Sequence, residues 1–267
     1  MNPTDKDGCF VTDNRIPGEA VHALNMLEEL LGSSVIAVYL YGSAAAGGLR
    51  NDSDVDVMAV VNRRLSEKTR RNLTERLLIL SGKMGNPDSV RPLEVTVVNY
   101  GDVVPWRYPP KKEYIYGEWL RNGFEKGQMP EPEYDPDLAI LLSQVRSCSI
   151  TLAGRDASQL LAPVPMSDIK RAMKDCLPGL VGSLEGDERN VILTLARMWV
   201  TADTGGFLPK DEAANWAVPR LPKEQAELLD LAGRAYRGEY ADSWENIYTA
   251  VEALVLQLIS EIEHCLL

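Results

Sequence analysis

The stretch VIAVYLYGSAAAGGLRNDSDVDVMAVV, residues 35–61, decides how this chain folds. It opens with a short β-branched and aromatic run, Val35 to Tyr41, which has the composition of a strand. Small residues follow from Gly42 to Asn51, with glycines at 42, 47 and 48. Val55 to Val61 is then a nearly continuous apolar run, as suits a central strand covered on both faces. Upstream, Val21, Leu24, Leu27, Leu30 and Leu31 recur at spacings of three and four and predict a helix over Pro17–Leu31, stopped at Gly32. Downstream, Ser66–Leu80 predicts a helix capped by Ser66, Gly82–Pro92 a loop, and Leu93–Asn99 a third strand. Prolines 105, 109, 110, 130, 132 and 136 break up the middle. Beyond them the pattern is mostly helical: Asp137–Ser149, Ser167–Leu177, Asp187–Thr204, Lys210–Ala217, Lys223–Arg237 and Trp244–Leu266. The expected architecture is an α/β N-terminal domain, a mixed sheet with helices, over residues 1–163, and a C-terminal all-α helical bundle over 164–267. Pro163 and Pro165 mark the boundary, and the active site is expected at the domain interface.

The chemistry sits in the same stretch. Asp54 and Asp56 are two residues apart, so on an extended backbone both carboxylates point to one face. Like charges placed together repel, a divalent cation removes the repulsion, and hard oxygen ligands suit Mg²⁺. Gly42 permits close approach of the backbone to a triphosphate, and Ser43 offers a hydroxyl to a phosphate oxygen. Glu94 is an acid set in the apolar strand Leu93-Glu94-Val95-Thr96-Val97-Val98. If that strand neighbours the one carrying the aspartates, Glu94 accepts a proton from an attacking hydroxyl, completes the metal site, or does both. In-line attack on an α-phosphate would then expel pyrophosphate.

Composition narrows the partners. Of 267 residues, 45% are apolar and 25% charged, an ordinary globular mix. The formal net charge of -11 disfavours a nonspecific grip on nucleic acid and is compatible with a cationic ligand. No long uncharged apolar stretch or basic leader is present, so the expectation is a cytoplasmic protein without a membrane span, acting as a monomer. The scattered cysteines, at 9, 148, 176 and 265, are expected to be four free thiols.

Gly42-Ser43 with Asp54-x-Asp56 and Glu94 resembles the DNA polymerase β-type nucleotidyltransferase superfamily. Within it the chain resembles the aminoglycoside (3'')(9) adenylyltransferases, through LYGSAAAGGLRNDSDVDV, RPLEVTVV, VVPWRYPP, YGEWLR and GDERNVILTLARMW. The resemblance implies ATP as donor, and as acceptor the 9-hydroxyl of spectinomycin, the 3''-hydroxyl of streptomycin, or both. It gives Asp54 and Asp56 the magnesium and Glu94 the role of base, with Ser43 and Ser53 on the triphosphate. It adds Asp137, Arg197, Lys210 and Tyr236 as ATP contacts, and Trp119 and Asp187 as the wall of the drug pocket. Asn190, three residues past Asp187 on a helix, is a further pocket candidate. Taken alone, Arg197 reads as a solvated helix charge, Trp119 as core and Asp187 as a helix N-cap. Lys210 at a helix start is electrostatically awkward and favours a phosphate partner.

One departure bears on specificity. Members that modify both drugs carry a tryptophan and an aspartate shortly before the Gly-Asp pair. The corresponding stretch here, Cys176 to Glu185, contains neither and places Pro178 and Ser183 at the nearest positions. Streptomycin's guanidinium groups would lack an acidic and an aromatic partner, which points to the spectinomycin-only branch. The alternatives are a dual-specificity enzyme that also modifies streptomycin, and a catalytically silent nucleotidyltransferase fold that only binds.

Overall fold

The structure, a computed structural model, describes residues 16–46, 49–50, 53–83 and 90–266. The chain divides after Val164 into two compact units.

The first unit holds α1 (Gly18–Leu31), β1 (Val35–Tyr41), α2 (Gly42–Ala45), β2 (Val55–Val61), α3 (Glu67–Leu80), β3 (Leu93–Asn99) and α4 (Tyr100–Val103). It continues with β4 (Lys111–Tyr116), α5 (Arg121–Glu125), β5 (Glu133–Tyr134), α6 (Asp137–Ser147), β6 (Ile150–Ala153) and α7 (Ala157–Leu160). The six strands form one sheet in the order β5-β4-β3-β2-β1-β6. It is mixed: β2 and β3 are parallel, and the other neighbours are antiparallel. Alternation along the central strands feeds two cores. Val38, Leu40, Val57, Ala59, Val95 and Val97 face one side, with Leu27 of α1 and Leu73 and Leu77 of α3. Tyr39, Tyr41, Met58, Val60 and Val98 face the other, with Val103 of α4 and Leu138, Leu142 and Val145 of α6. The apolar run of β2 is thus covered on both faces, as expected of a buried strand.

The boundaries expected for β1, β2 and β3 hold, and Ser66 accepts from the Thr69 N–H as the cap of α3. Three expectations need correction. The segment around the prolines contains β4, whose sequence KKEYIY hides its burial behind charges. Lys112 and Glu113 are buried there because both are paired, Lys112 with Asp135 and Glu113 with Arg64 and the Leu65 N–H. Peptide bonds 104–105 and 108–109, both X-Pro, are cis. The expectation of four free thiols fails as well, because Cys148 is disulfide-bonded, while Cys9 lies outside the described residues. Disulfide pairing follows three-dimensional proximity, which scattered spacing does not reveal. Cys176 and Cys265 are free.

The second unit contains α8 (Met166–Gly182), α9 (Glu188–Thr204), α10 (Lys210–Ala217), α11 (Lys223–Tyr236) and α12 (Tyr248–Leu266). Helix α9 is its hub, with ten of its seventeen residues buried. The expected end of α8 at Leu177 is corrected: the helix runs on through Pro178, which forfeits one backbone hydrogen bond without ending it. No described helix is long and apolar enough to cross a membrane.

Candidate active site

Backbone register brings the catalytic candidates together. Tyr41 of β1 is opposite Asp56 of β2, and Asp56 is opposite Glu94 of β3. Residues directly opposite one another point to the same face, so phenol and two carboxylates form one row across three strands. The strand-order condition set on Glu94 is therefore met. Asp54 lies two residues before Asp56, and its charge acts on Glu94. Asp137 opens α6 on the same face and acts on Glu94 too.

Gly42 makes this row possible. Its φ is +65°, and a Cβ there would fall 1.9 Å from an Asp56 carboxylate oxygen. Only glycine lets the turn after β1 close so tightly over Asp56. Ser43 follows in α2. Ser53 is buried, and its Oγ accepts the Arg50 N–H at 3.0 Å, which fixes the approach to β2.

Glu94 is raised to about 7, first by withdrawal from water and then by the charge of Asp54. The Tyr41 hydroxyl donates to Glu94 Oε1 at 3.1 Å and opposes that rise. Burial, then the charges of Glu94 and Asp56, push the phenol well above its usual range, so it stays protonated and remains a donor. Tyr41, which the sequence marks only as the end of a strand, thereby joins the candidate site. Lys112 also bears on Glu94, lowering it. The same lysine donates to Asp135 at 2.6 Å, and Asp135 accepts the Asp137 N–H at 3.0 Å, so Lys112 steadies the start of α6.

Among the described residues no group of three or more His, Cys, Asp or Glu side chains is placed to hold a metal ion by itself. The donor set still fits magnesium, which commonly takes one or two carboxylates and fills its other positions with phosphate oxygens and water. Asp56, roofed by the Cβ-free Gly42, together with Asp54, provides such a pair.

Trp119 is not core. It is 55% exposed, in a short turn after β4. The turn is held by Glu118, whose carboxylate takes hydrogen bonds from Arg121 and Tyr116. A Cβ on Gly117 would meet the Trp119 ring at 2.3 Å, so the indole lies directly against that glycine. Val95 pairs with Tyr116, and one further step of that register sets Gly117 opposite Glu94. The indole thus lies on the acidic face, one strand beyond Glu94.

In the second unit Asp187 stands at the N-cap position of α9 but makes no side-chain cap bond. It accepts instead from Asn190 Nδ2 at 2.7 Å. Asn190 Oδ1 accepts from Lys210 Nζ at 3.1 Å, and that ammonium lies 5.7 Å from the Tyr236 ring centroid. Asp187 and Asn190 line a cleft of about 120 Å³ with Gly186, Asp242 and Trp244. Four of the expected residues therefore gather in this unit. Arg197 lies partly buried on α9.

Comparison with known proteins agrees with this geometry. Residues 25–96 match the polymerase β nucleotidyltransferase family model, and residues 159–261 match the model of the aminoglycoside adenylyltransferase C-terminal domain. A spectinomycin 9-adenylyltransferase of Staphylococcus aureus is 58% identical over 94% of this chain and 96% of its own. The chain belongs to the aminoglycoside adenylyltransferase family. A spectinomycin 9-adenylyltransferase of Campylobacter jejuni is 43% identical over 95% of this chain and 98% of its own. An Escherichia coli aminoglycoside (3'')(9) adenylyltransferase is 41% identical over 90% and 92%. Among solved structures, the spectinomycin adenyltransferase of Enterococcus faecalis with ATP and spectinomycin aligns with a TM-score of 0.87 at 35% identity, covering 92% of this chain and 98% of that one. The chain is accordingly an aminoglycoside nucleotidyltransferase, with the mixed-sheet domain and helical region of that family.

Proposed function

We propose that this adenylyltransferase transfers AMP from ATP to the 9-hydroxyl of spectinomycin and so confers resistance to it. The observation that carries the reading is the row Tyr41, Asp56, Glu94, with Asp54 beside it. Glu94 takes the proton of the 9-hydroxyl, the resulting oxygen attacks the α-phosphorus in line, the bond to the bridging oxygen breaks, and pyrophosphate leaves. A carboxylate raised to about 7 is matched to that task near neutral pH. Tyr41 holds Glu94 in position, and Ser43 and Ser53 bind the triphosphate. Asp54 and Asp56 would hold Mg²⁺, which would supply charge neutralisation at the phosphates.

Asp137, Arg197, Lys210 and Tyr236 contact ATP, while Trp119, Asp187 and Asn190 contact the drug. The exposed indole suits the drug's apolar ring edges, and Asp187 suits its ammonium groups. Streptomycin is excluded by the stretch 176–185, in which Pro178 lies inside α8 and the Ser183 hydroxyl is turned back onto the Leu180 carbonyl at 2.8 Å. The chain works as a monomer in the cytoplasm, where ATP is available.

Mass spectrometry of the drug after incubation with the protein, ATP and Mg²⁺ tests the proposal. Spectinomycin should gain one adenylyl group and streptomycin none. Modification of both drugs would replace this reading with the dual-specificity one, and modification of neither would leave a binding protein.

A further inference from the structure

We propose that Asn190 couples the nucleotide and drug subsites of this enzyme. The proposal rests on the reading above, in which Lys210 meets ATP and Asp187 meets the drug. Three side chains are joined in series: Asp187 to Asn190 at 2.7 Å, and Asn190 to Lys210 at 3.1 Å. The second bond spans twenty residues and ties the first turn of α9 to the first residue of α10.

The chemistry of the link is specific to an amide. Asp187 needs a donor and Lys210 needs an acceptor, and one neutral side chain supplies both. The amide is held in one orientation, because a flip would turn its NH₂ toward the ammonium and its oxygen toward the carboxylate. A direct Asp187–Lys210 ion pair would satisfy each charge with the other. The interposed amide keeps the two charges from pairing directly with each other. The first bond is exposed and the second part-buried, and each is worth about 1 kcal/mol, too little to lock the three side chains in advance. A nucleotide that fixes Lys210 also fixes the amide, and the amide then holds Asp187 in one rotamer. Part of the ordering cost of drug binding is met before the drug arrives. By linkage, the drug must tighten nucleotide binding by the same factor.

Calorimetry on the full chain reads that factor. A non-hydrolysable ATP analogue with Mg²⁺ is titrated with and without saturating spectinomycin. In the native protein the analogue should bind about 5-fold tighter or more in the presence of drug. In Asn190→Ala and Asn190→Asp the ratio should fall below about 2-fold, each variant being its own reference so that a general loss of affinity does not count. Asn190→Asp matters because it is isosteric and keeps the acceptor for Lys210 while losing the donor to Asp187, so it covers the case in which the alanine variant folds poorly. A ratio unchanged in both variants, or no effect of the drug in the native protein, overturns the coupling. Asp187→Ala and Lys210→Ala separate the two levels. If they leave drug and nucleotide affinity unaltered, the assignment of the subsites has failed, and the coupling with it.

Discussion

In the first unit Tyr41, Asp56 and Glu94 are aligned by backbone pairing, whereas in the second Asp187, Asn190 and Lys210 are aligned by their own side chains. The first row sits on strands whose neighbours are fully buried, so no member can move without breaking a sheet. The second group stands at helix starts, with Asp187 exposed and Asn190 and Lys210 half-buried. The difference separates two demands. Proton abstraction tolerates little misplacement, and register fixes the base to a fraction of an ångström. Recognition of a ligand gains from side chains that settle only when it binds.

Substitutions in the two regions should therefore fail differently. Glu94→Gln keeps the shape but removes the base, and kcat should fall by about 10³-fold or more while ATP binding persists; normal turnover would remove Glu94 from that role. Gly42→Ala forces a Cβ into the Asp56 carboxylate at a positive φ. It should cost about 10²-fold or more in kcat, through misplacement of the row, as steady-state assays would show. In the recognition region Asp187→Ala should raise KM for spectinomycin by about 10- to 100-fold, as for a lost charged contact, and change kcat little. A mainly kcat effect would place Asp187 in the chemistry instead. Tyr41→Phe removes one hydrogen bond to the base and should lower kcat by about 10-fold. Its pH–rate profile should also move upward, because the lost bond favoured the ionised carboxylate.

The smallest effect is on stability. Glu94 is raised in the folded chain, from 4.5 to about 7, so the protonated form is the favoured one. Its contribution is fully present below pH 4.5 and is lost as pH rises through about 7. In magnesium-free buffer Glu94→Gln should therefore stabilise the protein at pH 8, by on the order of 1 to 3 kcal/mol, and leave it unchanged at pH 4. Thermal melts at the two pH values would check this.

The same contrast explains what could be read from the sequence. Strands β1, β2 and β3 declare themselves because their apolar runs are uninterrupted, and Glu94 stands out because an acid is foreign to such a run. Parity along the strands also puts Tyr41 with Tyr39 on one face, but only strand order reveals that this face carries Asp56 and Glu94. Strand β4 was hidden because its lysine and glutamate are buried in pairs with partners distant in sequence. Trp119 reads as core by composition, and only the backing by Gly117 shows why it can lie exposed and still be held. The bond from Asn190 to Lys210 has no periodic signature at all, since it joins two helices through one amide.

The most direct test of the account is the rate of pyrophosphate release with ATP, Mg²⁺ and spectinomycin, measured for the native protein and for Glu94→Gln. Drug-dependent release by the native protein, with none from the variant above background, is the predicted result. Equal release by the two, or release that does not depend on spectinomycin, would contradict the claim that the Tyr41–Asp56–Glu94 row carries adenylyl transfer to this drug.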